Sequence, residues 1–289
     1  MSRLGYLLFL PLFAVLAFVE IYPLLVSIYF SVTDYNHGGL FVGLVNYVQV
    51  ITDTRFLHSL IVSLAYSLGS MSLCFLIGLI FAYTLSQLGS SKSFFESLFL
   101  APLAIAPITV GVIWSPSGVW DDINTFIHFQ LRLPYIDLTN FAIAFPIMIL
   151  SDAWEWFPIV MLVALSILAS IPKQVFEAAA LHGASSWQVF RQIAIPAIMK
   201  SPVMQFLLVL RFIDSMRTFE IPFTWSSWLS QPNAGSPVDT ISLLLFKLLT
   251  IPTYGFPISY VSAVALALVI VTLSVSCVLF SLMKRLGKA

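Results

Sequence analysis

Charge is what this chain has least of. Only 9% of its 289 residues are Asp, Glu, Lys or Arg, too little polar surface to cover a soluble globule of that length. A polytopic membrane protein is the class that fits, in keeping with 60% hydrophobic residues and a mean hydropathy of +0.99. The 13 basic and 13 acidic residues cancel, so no basic surplus points to nucleic acid. Cysteine is nearly absent, and Cys74 and Cys277 both lie inside apolar runs. No disulfide framework or paired-thiol metal site is expected, and both read as packing residues. The motifs Gly-x-Ser-x-Gly and His-Glu-x-x-His are missing, and His37, His58, His128 and His182 are scattered over loops and run ends. No catalytic residue and no metal site is therefore expected. The spacing Gly38-x4-Gly43 continues with Leu44-Val45 in place of Lys-Ser/Thr, so no phosphate cradle is present. ATP-driven work would fall to another polypeptide.

What the chain does have is long apolar runs. Stretches of about 18 or more such residues are candidate bilayer helices, because backbone groups in hydrocarbon must be satisfied within the segment. Six fit, at roughly 4–32, 57–88, 94–114, 139–170, 199–222 and 258–283. The expected fold is all-α, a polytopic membrane protein forming a single transmembrane domain over 1–289. The first run begins after Arg3, exceeds a signal-peptide core and reads as a retained helix. Basic residues set the orientation. With the N-terminus inside, Arg3, Lys92, Lys173, Arg191, Lys200, Lys284, Arg285 and Lys288 lie inside. Arg55, Arg132 and Lys247 lie outside, while Arg211 and Arg217 fall within a run. Both termini and the segment 171–198 are thus expected in the cytoplasm. In the second run Ser70, Cys74, Gly78 and Ala82 make a four-residue stripe of small side chains, suited either to packing within the chain or to a subunit interface.

The inner segment carries the most specific pattern. Pro172 closes the fourth run and opens a short helix over Lys173–Leu181, Gly183 can break it, and Ala184–Ile195 can form a second helix. Glu177, Ala178, Ala179, Gly183, Ile193 and Pro196 stand at set spacings: a compact helix–glycine–helix knob with an exposed carboxylate. Taken with Asn46-Tyr47, the Phe94–Trp114 run, Asp152–Pro158 and Arg211–Glu220, this segment resembles the EAA loop of the permeases of binding-protein-dependent sugar importers. These are the type I ABC permeases of the maltose and glycerol-phosphate systems. The resemblance implies six helices, a second permease subunit, two cytoplasmic ATPase subunits that bind ATP and Mg, and an extracytoplasmic solute-binding protein. It assigns ATPase docking to the six loop residues, no cofactor to the chain itself, and a cell-membrane location. The chain departs from that pattern at His182, where Asp is usual, at Ile195, where Leu is usual, and at 230–237, where a Gly-Gly-Pro element is usual.

Ionisable residues inside a membrane are costly and normally face protein or water. Arg211, Asp214, Arg217 and Glu220 alternate in sign every three residues, so on one helix each would neighbour the next, either as a structural ladder or in the solute path. Trp154, Glu155 and Trp156 combine aromatic faces with a carboxylate, as sugar binding requires; tryptophans also serve as interfacial anchors. The resemblance adds Ile159 to this candidate solute path, whereas Val209, Ile213 and Met216, at comparable positions of the fifth run, are apolar. Local cancellation of Arg211 and Arg217 by Asp214 and Glu220 favours a neutral di- or oligosaccharide over a glycerol-phosphate-type solute. A stand-alone secondary transporter, with Asp214 or Asp152 carrying a proton, is the remaining alternative.

Overall fold

The computed structural model describes residues 9, 11, 13–88, 92–229, 236–251 and 256–286. Arg3, residues 89–91, the outer-loop stretch 230–235 and Lys288 lie outside the described residues. Helices dominate: α1 (Phe13–Ser31), α2 (Val45–Thr52), α3 (Thr54–Ser86), α4 (Lys92–Phe99), α5 (Pro107–Trp114), α6 (Val119–Gln130) and α7 (Phe141–Ala169) come first. They are followed by α8 (Lys173–Leu181), α9 (Ser186–Lys200), α10 (Pro202–Met216), α11 (Glu220–Leu229), α12 (Ile241–Thr250) and α13 (Ile258–Leu286). The described strands are the two-residue β1 (Thr33–Asp34) and β2 (Leu40–Phe41), paired antiparallel.

Four helices, α1, α3, α7 and α13, are long and apolar enough to cross a bilayer as single rods. The third and fifth expected runs are different: each is a bent pair of helices, and counting each pair as one span gives up to six. Within 94–114 the sequence Ala101-Pro102-Leu103-Ala104 forms a 3-10 turn, Ile105 and Ala106 are extended, and α5 restarts at Pro107. Proline drives the preceding residue out of helical geometry, so the run turns by 93°. Within the fifth run Ser201 is extended before Pro202, and α9 and α10 meet at 72°. The run 199–222 is therefore no single helix: α10 ends at Met216 and α11 starts at Glu220.

Contacts divide the chain into two compact units. One comprises Met1–Ser59 with Leu243–Val271, the other Leu60–Ser242 with Thr272–Ala289. In the first, Asn46 closes the end of α1 by donating from Nδ2 to the carbonyls of Ser31 (2.9 Å) and Thr33 (3.1 Å). Tyr47 donates to Ser31 Oγ at 2.9 Å. Asp53 accepts from the Arg55 side chain and from Tyr260 Oη (2.6 Å), and Arg55 stacks on Phe256 with 4.5 Å to the ring centroid. Asp53 lies before the apolar body of α3. Its partial burial would raise its pKa, but the hydrogen bonds from Arg55 and Tyr260 outweigh this and hold it below the usual carboxylate range.

Among the described residues, the second unit holds two apolar clusters of note. One joins α3, α7, α9 and α10 through Cys74, Phe157, Met161, Ile198 and Met204, with Phe81 wedged between Phe99 (4.6 Å) and Phe157 (5.2 Å). The other sets α5 and α11 against α7 through Val110, Met148, Ile221 and the fully buried Trp225. The small-residue stripe lies on the inner side of α3: Ser70, Cys74, Gly78 and Ala82 are all buried. At Gly78 an added Cβ would lie 2.8 Å from Val160 Cβ and 3.0 Å from the Met161 backbone nitrogen, so the stripe serves close packing of α3 on α7 within the chain.

Candidate functional site: a charged cavity and a helical knob

The knob is built by local signals. Helix α8 starts after Pro172 and ends at His182, with Gly183 at φ +74°. Gly183 N–H donates to the Ala180 carbonyl (2.9 Å) and Ala184 N–H to the Ala179 carbonyl (3.0 Å), the paired bonds that close a helix through a left-handed residue. Two residues later Ser185 starts α9 with a capping box, its Oγ accepting from Gln188 N–H while Gln188 Oε1 accepts from Ser185 N–H. A π-helical turn at Phe190–Ala194 leads into Pro196, whose ring and missing N–H disturb the ladder at that point. Glu177 and Ala178 are exposed, Ala179 is half-buried, and Gly183 has open space around it. Leu181 is 89% exposed and Trp187 64%, an apolar tip left open to a partner. Ile193 and Pro196 are half-buried where α9 returns to the core.

The second feature lies midway along α7. Trp154 to Trp156 sit near the middle of this 29-residue helix, on the order of 20 Å from either end at 1.5 Å per residue. An interfacial anchoring role for these tryptophans does not match that depth. Arg211 of α10 and Asp152 of α7 form an ion pair with side chains 3% and 4% exposed. Ser70 of α3 donates to the same Asp152 oxygen and accepts from Arg211 at 2.9 Å, so three helices are tied at one point. Arg211 also donates to Asp214 at 3.0 Å, and its guanidinium lies 5.0 Å from the Trp156 ring centroid. Arg217, at the C-terminal cap of α10, reaches Asp214 at 3.5 Å. The expected four-residue ladder is thus cut short, because Glu220 belongs to the next helix.

Two neighbouring cavities open beside this network. One, of about 330 Å³, is lined by Pro107, Asp152, Glu155, Trp156, Asp214, Arg217, Thr218 and Glu220. The other, of about 450 Å³, is lined by Trp156, Ile159, Leu210, Arg211, Ile213, Asp214 and Arg217, among others. Of the sequence candidates, Glu155, Trp156, Ile159, Arg211, Asp214 and Arg217 are brought together here. Trp154 is not: it packs among apolar residues with its ring 5.6 Å from Trp114 of α5. Glu155 is 4% exposed, and its Oε2 has no hydrogen-bond partner among the described residues. Sequence reasoning left Ser70, Thr218 and above all Asp152, the main partner of Arg211, out of the candidate path. A buried acid in one span and a buried base in another, each needing a counter-charge, was the available signal.

Bent pairs of apolar helices, a charged cavity midway along α7 and a helical knob thus occur together in this chain. No family model matches the chain. It is 29% identical over 262 residues to the trehalose/maltose transport system permease protein MalF of Thermococcus litoralis, covering 88% of this chain and 86% of that protein. It is 27% identical over 291 residues to the sn-glycerol-3-phosphate transport system permease protein UgpA of Yersinia pestis, covering 98% and 95%. Among solved structures, a chain of a bacterial alginate ABC transporter in complex with alginate pentasaccharide-bound periplasmic protein superposes with a TM-score of 0.79. That match has 21% identity and covers 99% of this chain and 96% of the other, which places the fold as that of a type I ABC importer permease. Over most of its length the chain is thus similar in sequence to permease subunits of sugar ABC importers, and it shares the fold of an ABC importer permease.

Proposed function

We propose that this subunit forms half of the translocation path of an ATP-driven importer and takes its motion from a cytoplasmic ATPase through the knob at 173–200. The observation that carries this reading is the rigid helix–glycine–helix unit, capped at both inner ends, that presents Glu177, Leu181 and Trp187 to a partner. A distant ATPase needs a stiff element of this kind, because a floppy loop would absorb its motion. Docking is assigned to Glu177, Ala178, Ala179 and Gly183, with Ile193 and Pro196 anchoring the unit to the core. The partners are a second permease, two ATPase subunits carrying ATP and Mg, and an extracytoplasmic solute-binding protein. Both termini face the cytoplasm of the inner membrane, and this subunit performs no chemistry itself.

The solute path runs along Glu155, Trp156, Ile159, Arg211, Asp214 and Arg217. Charge balance supports a neutral, hydroxyl-rich solute. Arg211 is engaged by Asp152 and Asp214, Arg217 leans on Asp214, and Glu155 and Glu220 have no ion-pair partner among the described residues. A phosphate ester would meet excess negative charge in the 330 Å³ cavity, whereas sugar hydroxyls can donate to Glu155 and a ring face can lie on Trp156. A di- or oligosaccharide, as in the maltose-type relative, fits better than glycerol phosphate.

The test uses the purified importer complex. A cysteine at 177 should cross-link to the ATPase, and Gly183→Asp should leave the complex assembled while abolishing solute-stimulated ATP hydrolysis. Wild-type stimulation in Gly183→Asp, or cross-links from 177 only to extracytoplasmic partners, would remove the coupling role.

A further inference from the structure

Where the knob meets the ends of the spans lies a further cavity, of about 550 Å³. Its position follows from the helix ends around it: α3 stops at Ser86, α4 starts at Lys92, α7 stops at Ala169 and α8 starts at Lys173. Apolar helices end where hydrocarbon gives way to headgroups, so this cavity sits at headgroup depth. Its lining is unlike that of the solute path. Lys92 and Lys173 line it and, among the described residues, no acidic one does, while Leu165, Leu168, Phe176 and Val189 supply apolar wall. Among the described residues Lys92 pairs with Glu96 of its own helix, at 3.6 Å, and Lys173 makes no ion pair. Ser86, Gln87 and Ser186 add hydroxyl and amide groups at the rim, and Tyr83 Oη donates to the Ser186 carbonyl at 2.8 Å, bracing the wall against α9.

A pocket that combines two cations, neutral hydrogen-bonding groups and an apolar wall at headgroup depth fits a phosphodiester carrying acyl chains. We propose that it binds the headgroup of an anionic phospholipid, with Lys92 and Lys173 as counter-charges to the phosphate, and that the bound lipid braces α8 from beneath. The bracing rests on the coupling reading above; the binding site does not. Basic pockets between membrane helices gain affinity from each cation facing the lipid phosphate, so neutralising both lysines should weaken retention about tenfold or more.

The experiment reconstitutes the whole importer in nanodiscs of phosphatidylcholine with or without phosphatidylglycerol, then reads retained lipid by native mass spectrometry and solute-stimulated ATP hydrolysis. The wild type should keep phosphatidylglycerol and hydrolyse ATP faster with it. The Lys92→Gln/Lys173→Gln variant should lose both effects, Lys92→Arg/Lys173→Arg should restore them, and Lys200→Gln, on a different cavity, should retain the lipid as the wild type does. Equal retention in the Gln variant, equal loss in Lys200→Gln, or displacement of the lipid by inorganic phosphate would overturn the proposal. Lysine-dependent retention with no response of ATP hydrolysis would keep the site and refute the bracing, and failed cross-linking from 177 would count against coupling alone.

Discussion

Replacing both members of the buried Arg211–Asp152 pair should cost less than the two single replacements added together, and the structure fixes which single change is worse. Breaking a buried ion pair from one side typically costs about 3–5 kcal/mol, because the surviving charge is stranded away from water. Asp152→Asn leaves Arg211 with Asp214 at 3.0 Å and Ser70 at 2.9 Å, so its cost should sit near the lower end, about 3 kcal/mol. Arg211→Met leaves Asp152 without a cationic partner among the described residues, with Ser70 as a neutral donor, and leaves Asp214 with Arg217 at 3.5 Å, so its cost should be near the upper end, about 5 kcal/mol. The double variant removes both charges at once and should be no less stable than Arg211→Met, giving a coupling of about 3 kcal/mol or more. Equilibrium unfolding by SDS in mixed micelles, followed by tryptophan fluorescence, would measure each corner of the cycle. Costs that simply add would refute the assignment of Asp152 as the principal counter-charge, and an Asp152→Asn variant less stable than Arg211→Met would refute the support that Asp214 and Ser70 lend to Arg211.

Gly78→Val should destabilise the α3–α7 contact by about 1–3 kcal/mol, since the new side chain meets Val160 and the Met161 backbone with no room to yield; an unchanged unfolding midpoint would contradict the packing. Asn124 is buried, donates to the Ile136 carbonyl (2.7 Å) and accepts from Ile136 N–H (2.9 Å). Asn124→Ala should therefore cost about 1–3 kcal/mol and raise protease cleavage within 131–140. Asp53 has a lowered pKa, so its contribution to stability is present above the unfolded value of about 4 and is lost as pH falls through the folded one. Asp53→Asn should melt below the wild type at neutral pH, and the gap should close below about pH 4; a gap independent of pH would count against the Arg55 and Tyr260 contacts.

The parts of this molecule that could be read from the chain are those written in local signals. Composition defined the membrane class, and uninterrupted apolar runs located α3, α7 and α13, because hydropathy over about 18 residues reports burial in hydrocarbon directly. The knob was legible for a related reason: Pro172 and Gly183 each act on the backbone within a few residues, whereas the Ser185–Gln188 box that starts its second helix was not singled out in the sequence. Hydropathy is blind to direction, however. The runs 94–114 and 199–222 are as apolar as expected, yet Pro107 and Ser201-Pro202 turn them by 93° and 72°.

The charged cavity shows the same limit in another form. A spacing of three residues made Asp214 the evident partner of Arg211, and that bond exists, but it is the half-exposed arm of the network. Asp152, 59 residues away, supplies the buried arm, and no spacing rule reaches that far. What does reach is a balance of charge: each ionised group at mid-span must be cancelled or given water. Pairing the buried groups first, Arg211 with Asp152, leaves Asp214 to Arg217 and leaves Glu155 and Glu220 over. Glu155 is 4% exposed with an oxygen beside the cavity that has no hydrogen-bond partner among the described residues. On the solute path proposed above, a solute hydroxyl can donate to that oxygen.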